Sequence, residues 1–406
     1  MRIARPPIKQ PVITGLPQAW HDQGPHRPVR LLVVDDRKPD PMMGYGFPRM
    51  NAILNVMPEC GFHRDFLSLS NCVGWRESRG ARDHPGYADT DGPVAFSEFW
   101  ERRHGEYDAV WISRTRNLRF VLPCLRRYRN CVLIADVEAM DAERRVLTHL
   151  YRGKPLDEPD IKALFDAELD LIREADIVVA VCERDRQLLA SRNIPNVFVV
   201  GHGHQVDIGA RAFEQRHDVL YVGSFITARD NGDSHAVRYL ARHLQPQVTA
   251  NLGCNVSVVG RASRPGLLPR NARPDGFTFI DSPIRLDPFY HSHRVGVVPT
   301  LIGAGLPWKA TEALSYGLPS VVTPLVADQL GISARDDIAL IGDNPESFTA
   351  HAVRLYRDRE LWSKLRENAL HFAAERLSME SIRRPLRSMA EAIIKTRPVI
   401  KYRGGD

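Results

Sequence analysis

Apolar residues along this chain fall into short runs separated by amphipathic stretches. The runs at 29–34, 107–112, 131–134, 177–181 and 197–200 have the length of buried strands. Between them, 49–56, 117–128, 161–175 and 183–191 carry apolar residues at helical spacing. The alternation restarts after Gly201-His202-Gly203-His204 and a polar, unpatterned stretch at 205–217. Strands are then predicted at 219–222, 256–259, 277–280, 295–299 and 320–323, with helices at 234–244 and 308–316. Gly317 tolerates the left-handed conformation that ends a helix, and Pro319 prevents its continuation. Asn344-Pro345 reads as a helix cap and first turn, and 344–394 as largely helical. Strands alternating with helices predict an α/β fold of parallel, doubly wound sheets, and the restart predicts two Rossmann-like domains. The expected division is 1–205, 206–375 and a helical tail at 376–406 packing back on the first domain.

Two such sheets facing each other leave a cleft between the carboxyl ends of their strands, where open α/β sheets bind ligands. The glycine clusters fall at those ends: Gly44 and Gly46, Gly223 with Ser224, and Gly303 with Gly305. Backbone N–H groups exposed by such turns suit a diphosphate. Each pair alone reads equally as a tight turn.

A length of 406 residues with 43% hydrophobic and 26% charged positions excludes a small binding module, a fibre, a disulfide-stapled peptide and a disordered chain. The six cysteines are scattered without metal spacing and read as reduced thiols. His202 and His204 form an HxH, but no third ligand has an evident spacing, so no metal site is expected. The first 23 residues lack an apolar core, and no run suffices for a spanning helix, so a cytoplasmic location is expected. The +6 charge concentrates in Arg114, Arg116, Arg119, Arg126, Arg127 and Arg129, with no acid between Ser113 and Asn130. This patch predicts contact with an anionic surface, either inner-leaflet lipid or an acidic glycan, rather than nucleic acid. A solvated helix face is the alternative.

The segment Gly303-Ala304-Gly305-Leu306-Pro307-Trp308-Lys309-Ala310-Thr311-Glu312, continuing to Thr323, resembles the "GAG…K..EAl..G.PvV.T" block of retaining GT-B glycosyltransferases similar to glycosyltransferase family 4. Supporting matches are Val34-Asp35-Asp36-Arg37 with Gly44-Tyr45-Gly46, Asp136-Val137-Glu138-Ala139 with Arg144, and 176–203. The resemblance covers about residues 30 to 375. It implies a GT-B architecture and sugar transfer from a nucleotide-diphosphate donor to an acceptor hydroxyl, with retention, in glycan, polysaccharide or glycoconjugate biosynthesis. It carries the ribose role to Glu312 and the diphosphate-side turn to Gly303 and Gly305. Lys309 reads either as a phosphate contact or as an ion-pair partner of Glu312 one turn on.

Gly44, Gly46, Gly223, Ser224 and Ala304 complete the expected donor side. Arg229 and Lys309 are candidates for stabilising the leaving diphosphate. Asp136 and Glu138 are candidates for orienting or deprotonating the acceptor, with an ion pair to Arg144 or Arg145 as the structural alternative. Arg49, Arg114, Arg116 and His202 fall on the acceptor side. No metal and no cofactor beyond the nucleotide-sugar co-substrate are implied. Ala304 stands where the family's E-x7-E element has its first Glu. That departure keeps a catalytically silent glycan-binding scaffold open as an alternative, and a GT-B sugar-nucleotide 2-epimerase is the nearer enzyme rival. A phosphorelay receiver, suggested by Asp35-Asp36, is rejected because 71–92 lacks the required strand.

Overall fold

A computed structural model describes residues 27–40, 46–69, 96–209, 211–225, 232–268 and 275–396. Its frame is two six-stranded sheets in which every pairing is parallel. The first holds β1 (Val29–Asp35), β2 (Phe62–Ser68), β3 (Ala109–Ser113), β4 (Val132–Asp136), β5 (Ile177–Ala180) and β6 (Val197–Val199). Their spatial order is β2-β1-β3-β4-β5-β6. The second holds β7 (His217–Val222), β8 (Val256–Gly260), β9 (Phe277–Asp281), β10 (His293–Val298), β11 (Ser320–Val322) and β12 (Leu340–Ile341). Here the order is β12-β11-β10-β7-β8-β9.

Helices cover both faces. Around the first sheet lie α1 (Phe47–Val56), α2 (Phe96–Arg103), α3 (Thr115–Tyr128), α4 (Asp141–Tyr151), α5 (Glu158–Ile172) and α6 (Glu183–Ser191). Around the second lie α7 (Gly232–Tyr239), α8 (Gln245–Leu252), α9 (Asp287–Ser292), α10 (Trp308–Ser315), α11 (Pro324–Leu330), α12 (Pro345–Arg357) and α13 (Arg359–Arg376). The period of two along each strand splits its side chains between two buried layers. In β1, Leu31 and Val33 enter one core and Leu32 and Val34 the other.

The chain crosses between the sheets twice. After β6 it passes through 200–207, and after α13 it returns at Leu377-Ser378 to begin α14 (Met379–Thr396). The crossings touch, since the His204 N–H donates to the Leu377 carbonyl at 2.7 Å. Ile382, Leu386, Met389 and Ile393 of α14 lie in the same core as Leu31, Ile53, Trp111 and Phe198.

Strand order reverses between β1 and β3 in one sheet and between β7 and β10 in the other. Those two switch points open toward one cleft, the position where such sheets hold ligands.

Candidate active site

The cleft has a volume of about 1060 Å³ and takes its walls from both domains. On the second domain the principal wall is α10. Pro307 supplies no side-chain cap, so the Trp308 and Lys309 N–H groups, at the positive end of this helix, have no partner among the described residues and border the cleft. One turn in, the Glu312 carboxylate faces the cleft and accepts a 2.7 Å hydrogen bond from the Tyr290 hydroxyl. Burial pushes its pKa up to about 7, against the stabilising hydrogen bonds of Tyr290 and Trp308. Tyr290 is held in turn by stacking on Tyr316, with ring centroids 4.9 Å apart.

Lys309 does not pair with Glu312. Its ammonium binds Asp233, at the start of α7, and the Tyr221 hydroxyl at 3.2 Å. Asp233 also accepts from the Tyr221 hydroxyl and from the Ser224 N–H, each at 2.9 Å. The end of β7, the start of α7 and the start of α10 are thereby tied into one polar cluster. Gly223, Ser224, Gly303 and Ala304 line the same wall.

The opposite wall is built at the β1/β3 switch point. Arg114 follows β3 with φ 69°, which aims its guanidinium back across the sheet edge. It donates to Asp35 at 2.8 Å, to Asp36 at 2.6 Å and to Glu138 at 2.8 Å. Asp35 is fully buried and one of its carboxylate oxygens has no partner. Burial pushes its pKa up to about 8, although Arg114 pulls it down. Glu138 lies on the cleft wall in a left-handed conformation, φ 53°. Two glycines leave room for it. A Cβ on Gly46, φ +80°, would fall 1.2 Å from the Glu138 Oε1. One on Gly305, φ +71°, would fall 2.4 Å from the Glu138 carbonyl oxygen, which makes this a backbone-to-backbone approach of the two domains.

Two expected site residues sit elsewhere. Arg49 is buried and not on an acceptor surface: it binds Asp136 at 2.8 Å and the Val200 carbonyl at 2.7 Å, stitching α1 to the ends of β4 and β6. Asp136 is buried beneath the wall, held by Arg49 and by the Trp111 indole at 3.2 Å rather than by Arg144 or Arg145. The six-arginine patch is also divided. Arg114 faces the cleft, Arg116 pairs with Asp36, Arg126 with Glu174 and Arg129 with Asp176. The neutralising acids come from other elements, so the run of α3 alone does not display them. Gly44, Arg229 and Cys72 lie outside the described residues.

His202 and His204 converge on the Thr311 hydroxyl of α10, at 2.8 and 2.9 Å, and both rings lie against Trp308. Among the described residues no group of three or more metal-ligating side chains converges, and no helix is long and apolar enough to cross a membrane.

Residues 216–358 match the family model described as "Glycosyl transferases group 1". The chain is a glycosyltransferase. Its architecture is GT-B, and the likeness to solved glycosyltransferases extends over both domains. The sucrose-phosphate synthase of Thermosynechococcus elongatus superposes with a TM-score of 0.66 at 14% identity, over 89% of this chain and 98% of that one. The Anabaena protein HepE, solved with UDP and glucose, gives 0.60 at 11% identity over 90% and 100%. A trehalose-6-phosphate synthase studied for glycosyl transfer with retention gives 0.57 at 12% identity over 89% and 99%. At these identities the likeness carries the fold. No curated protein matches the sequence.

Reading this glycosyltransferase from sequence misses Asp233, Tyr221 and Tyr290. Asp233 carries a usable signal, a carboxylate at a helix start behind Gly232. The two tyrosines carry none, because only the folded sheet brings Tyr221 to Lys309 and α9 to Glu312. Arg261, beside the cleft and paired across the domains with Asp40 at 3.1 Å, is a further cation there.

Proposed function

We propose that the chain transfers a sugar from a nucleotide-diphosphate donor to an acceptor hydroxyl with retention, as a family-4-type enzyme of glycan, polysaccharide or glycoconjugate assembly. The observation that carries this reading is the wall made by α10. An uncapped helix N-terminus suits a diphosphate, and one turn further a carboxylate suits a vicinal diol. UDP and glucose in HepE, and the retention studied in the trehalose-6-phosphate synthase, support it by analogy of fold.

In the reaction the acceptor oxygen bonds to the anomeric carbon as the bond from that carbon to the diphosphate oxygen breaks. The acceptor's proton leaves to the departing phosphate or to a carboxylate. The largest requirement is charge stabilisation at the leaving group. The first turn of α10, Lys309 and Arg261 line this part of the cleft, which supports assigning that role to them. Lys309 would exchange Asp233 for phosphate oxygens. Glu138 lines the cleft on the opposite wall, which supports its reading as the group that accepts a hydrogen bond from the attacking hydroxyl.

A calorimetric panel of UDP, GDP, ADP and dTDP tests the donor side. The wild-type chain binds one of them, and Glu312→Ala weakens that binding roughly 10- to 100-fold, the cost of a lost hydrogen-bond pair to a charged group. Equal affinity in the variant would overturn the ribose role.

A further inference from the structure

The Thr311 hydroxyl has one proton and two lone pairs. It lies 2.9 Å from the Trp308 carbonyl, which can only accept, so its proton goes there. Both lone pairs then face ring nitrogens, Nδ1 of His202 at 2.8 Å and Nε2 of His204 at 2.9 Å, and each of those nitrogens must carry the hydrogen. This fixes opposite tautomers in the two rings. His202 is protonated on Nδ1, which leaves its Nε2 as a bare lone pair.

That nitrogen has no hydrogen-bond partner among the described residues, yet it is not among the sealed, unpartnered polar atoms, and His202 lines the cleft. The ring is immobilised. Trp308 lies 4.7 Å away centroid to centroid, and Gly201 and Gly203 place the backbone at the domain crossing. Burial, with His204 and Arg49 nearby, holds its pKa well below the usual histidine value, so the lone pair persists across physiological pH. A fixed acceptor on the seam between the domains, packed on the first residue of α10, stands beside the turn that leads to the diphosphate end. Ala304, also on the cleft, brings no carboxylate of its own.

We propose that His202 is a substrate-binding residue whose Nε2 accepts a hydrogen bond from a hydroxyl of the transferred sugar. This rests on the nucleotide-sugar reading above and deepens it: the donor must present a hydrogen-bond donor, and not an ether or ester oxygen, at that point.

The test is histidine nitrogen NMR on the 15N-labelled full chain, with His202→Asn and His204→Asn for assignment. The probes are UDP, GDP, ADP and dTDP and their glucose conjugates. His202 is expected as the Nδ1–H tautomer and His204 as the Nε2–H tautomer. The glucose conjugate moves the His202 Nε2 resonance, whereas the parent diphosphate does not. His202→Phe lowers kcat/KM by about tenfold, the weight of one hydrogen bond between neutral groups, and leaves diphosphate affinity unchanged. A proton found on the His202 Nε2, or a bound nucleotide sugar that leaves that resonance still, overturns the assignment alone. Failure of the wild-type chain to bind any of the eight probes overturns the donor reading, and the assignment with it.

Discussion

Asp35, Asp36 and Glu138 share the guanidinium of Arg114, with Arg116 as a second cation for Asp36 only. Three carboxylates around so little positive charge favour a retained proton, and the innermost, Asp35, is where burial places it. Its folded pKa of about 8 lies above the roughly 3.9 of an unfolded chain. Between those values the folded state binds a proton that the unfolded state releases, so this residue's contribution to stability is complete at acid pH and is lost as pH rises through about 8. Asp35→Asn carries the hydrogen permanently and removes that loss. Urea midpoints at pH 5 and pH 8.5 should fall more in the wild-type chain than in the variant; equal falls would mean that Asp35 is ionised throughout. Little of this cluster is legible beforehand. Asp35 and Arg114 are recognisable as polar residues at strand ends, but a separation of 79 positions conceals that they meet.

At the scale of elements, legibility follows burial. Central strands are continuous apolar runs and are read directly. The two strands that the runs miss, β2 and β12, are both sheet edges: β2 has His63, Arg64 and Asp65 at its middle, and β12 has two residues. Local chemistry also marks boundaries well. Asn344 caps α12 through the Ser347 N–H at 2.9 Å, and Gly317 adopts φ +54° after α10. Ile382, Leu386, Met389 and Ile393 form one face of α14, and that face lies in the first core although the preceding α13 serves the second domain. Leu386→Ala should therefore cost about 2–5 kcal/mol, the range for a truncated core leucine. Hydrogen exchange locates the loss: amides of β1 and β3 should lose protection while those of β7 and β10 keep theirs. Equal loss in both sheets would show that the domains unfold as one unit.

Across the whole molecule, the function depends on how closely two switch points approach. The net charge says little about it, since Arg116, Arg126 and Arg129 are met by Asp36, Glu174 and Asp176 from neighbouring elements. One close approach on the seam is steric. Gly305 lies against the backbone of Glu138 and the Ala139 side chain, and a Cβ there would sit 2.4 Å from a carbonyl oxygen that no side-chain rotation can remove. Its φ of +71° adds strain for any other residue. Gly303, two positions earlier, is a natural control, because a Cβ there meets only the Thr300 Cγ2, at 3.4 Å. Gly305→Ala should hold the domains apart, raise the radius of gyration measured by small-angle scattering and slow sugar transfer. Donor diphosphate affinity should change less, because Glu312, Lys309 and the start of α10 all belong to one domain. Gly303→Ala should match the wild-type chain in scattering. If the two variants scatter alike, the approach of Gly305 to Glu138 does not set the closure of the cleft, and the position of Glu138 opposite α10 must be fixed by the ion pairs of Arg184 with Asp328 and Arg261 with Asp40 instead.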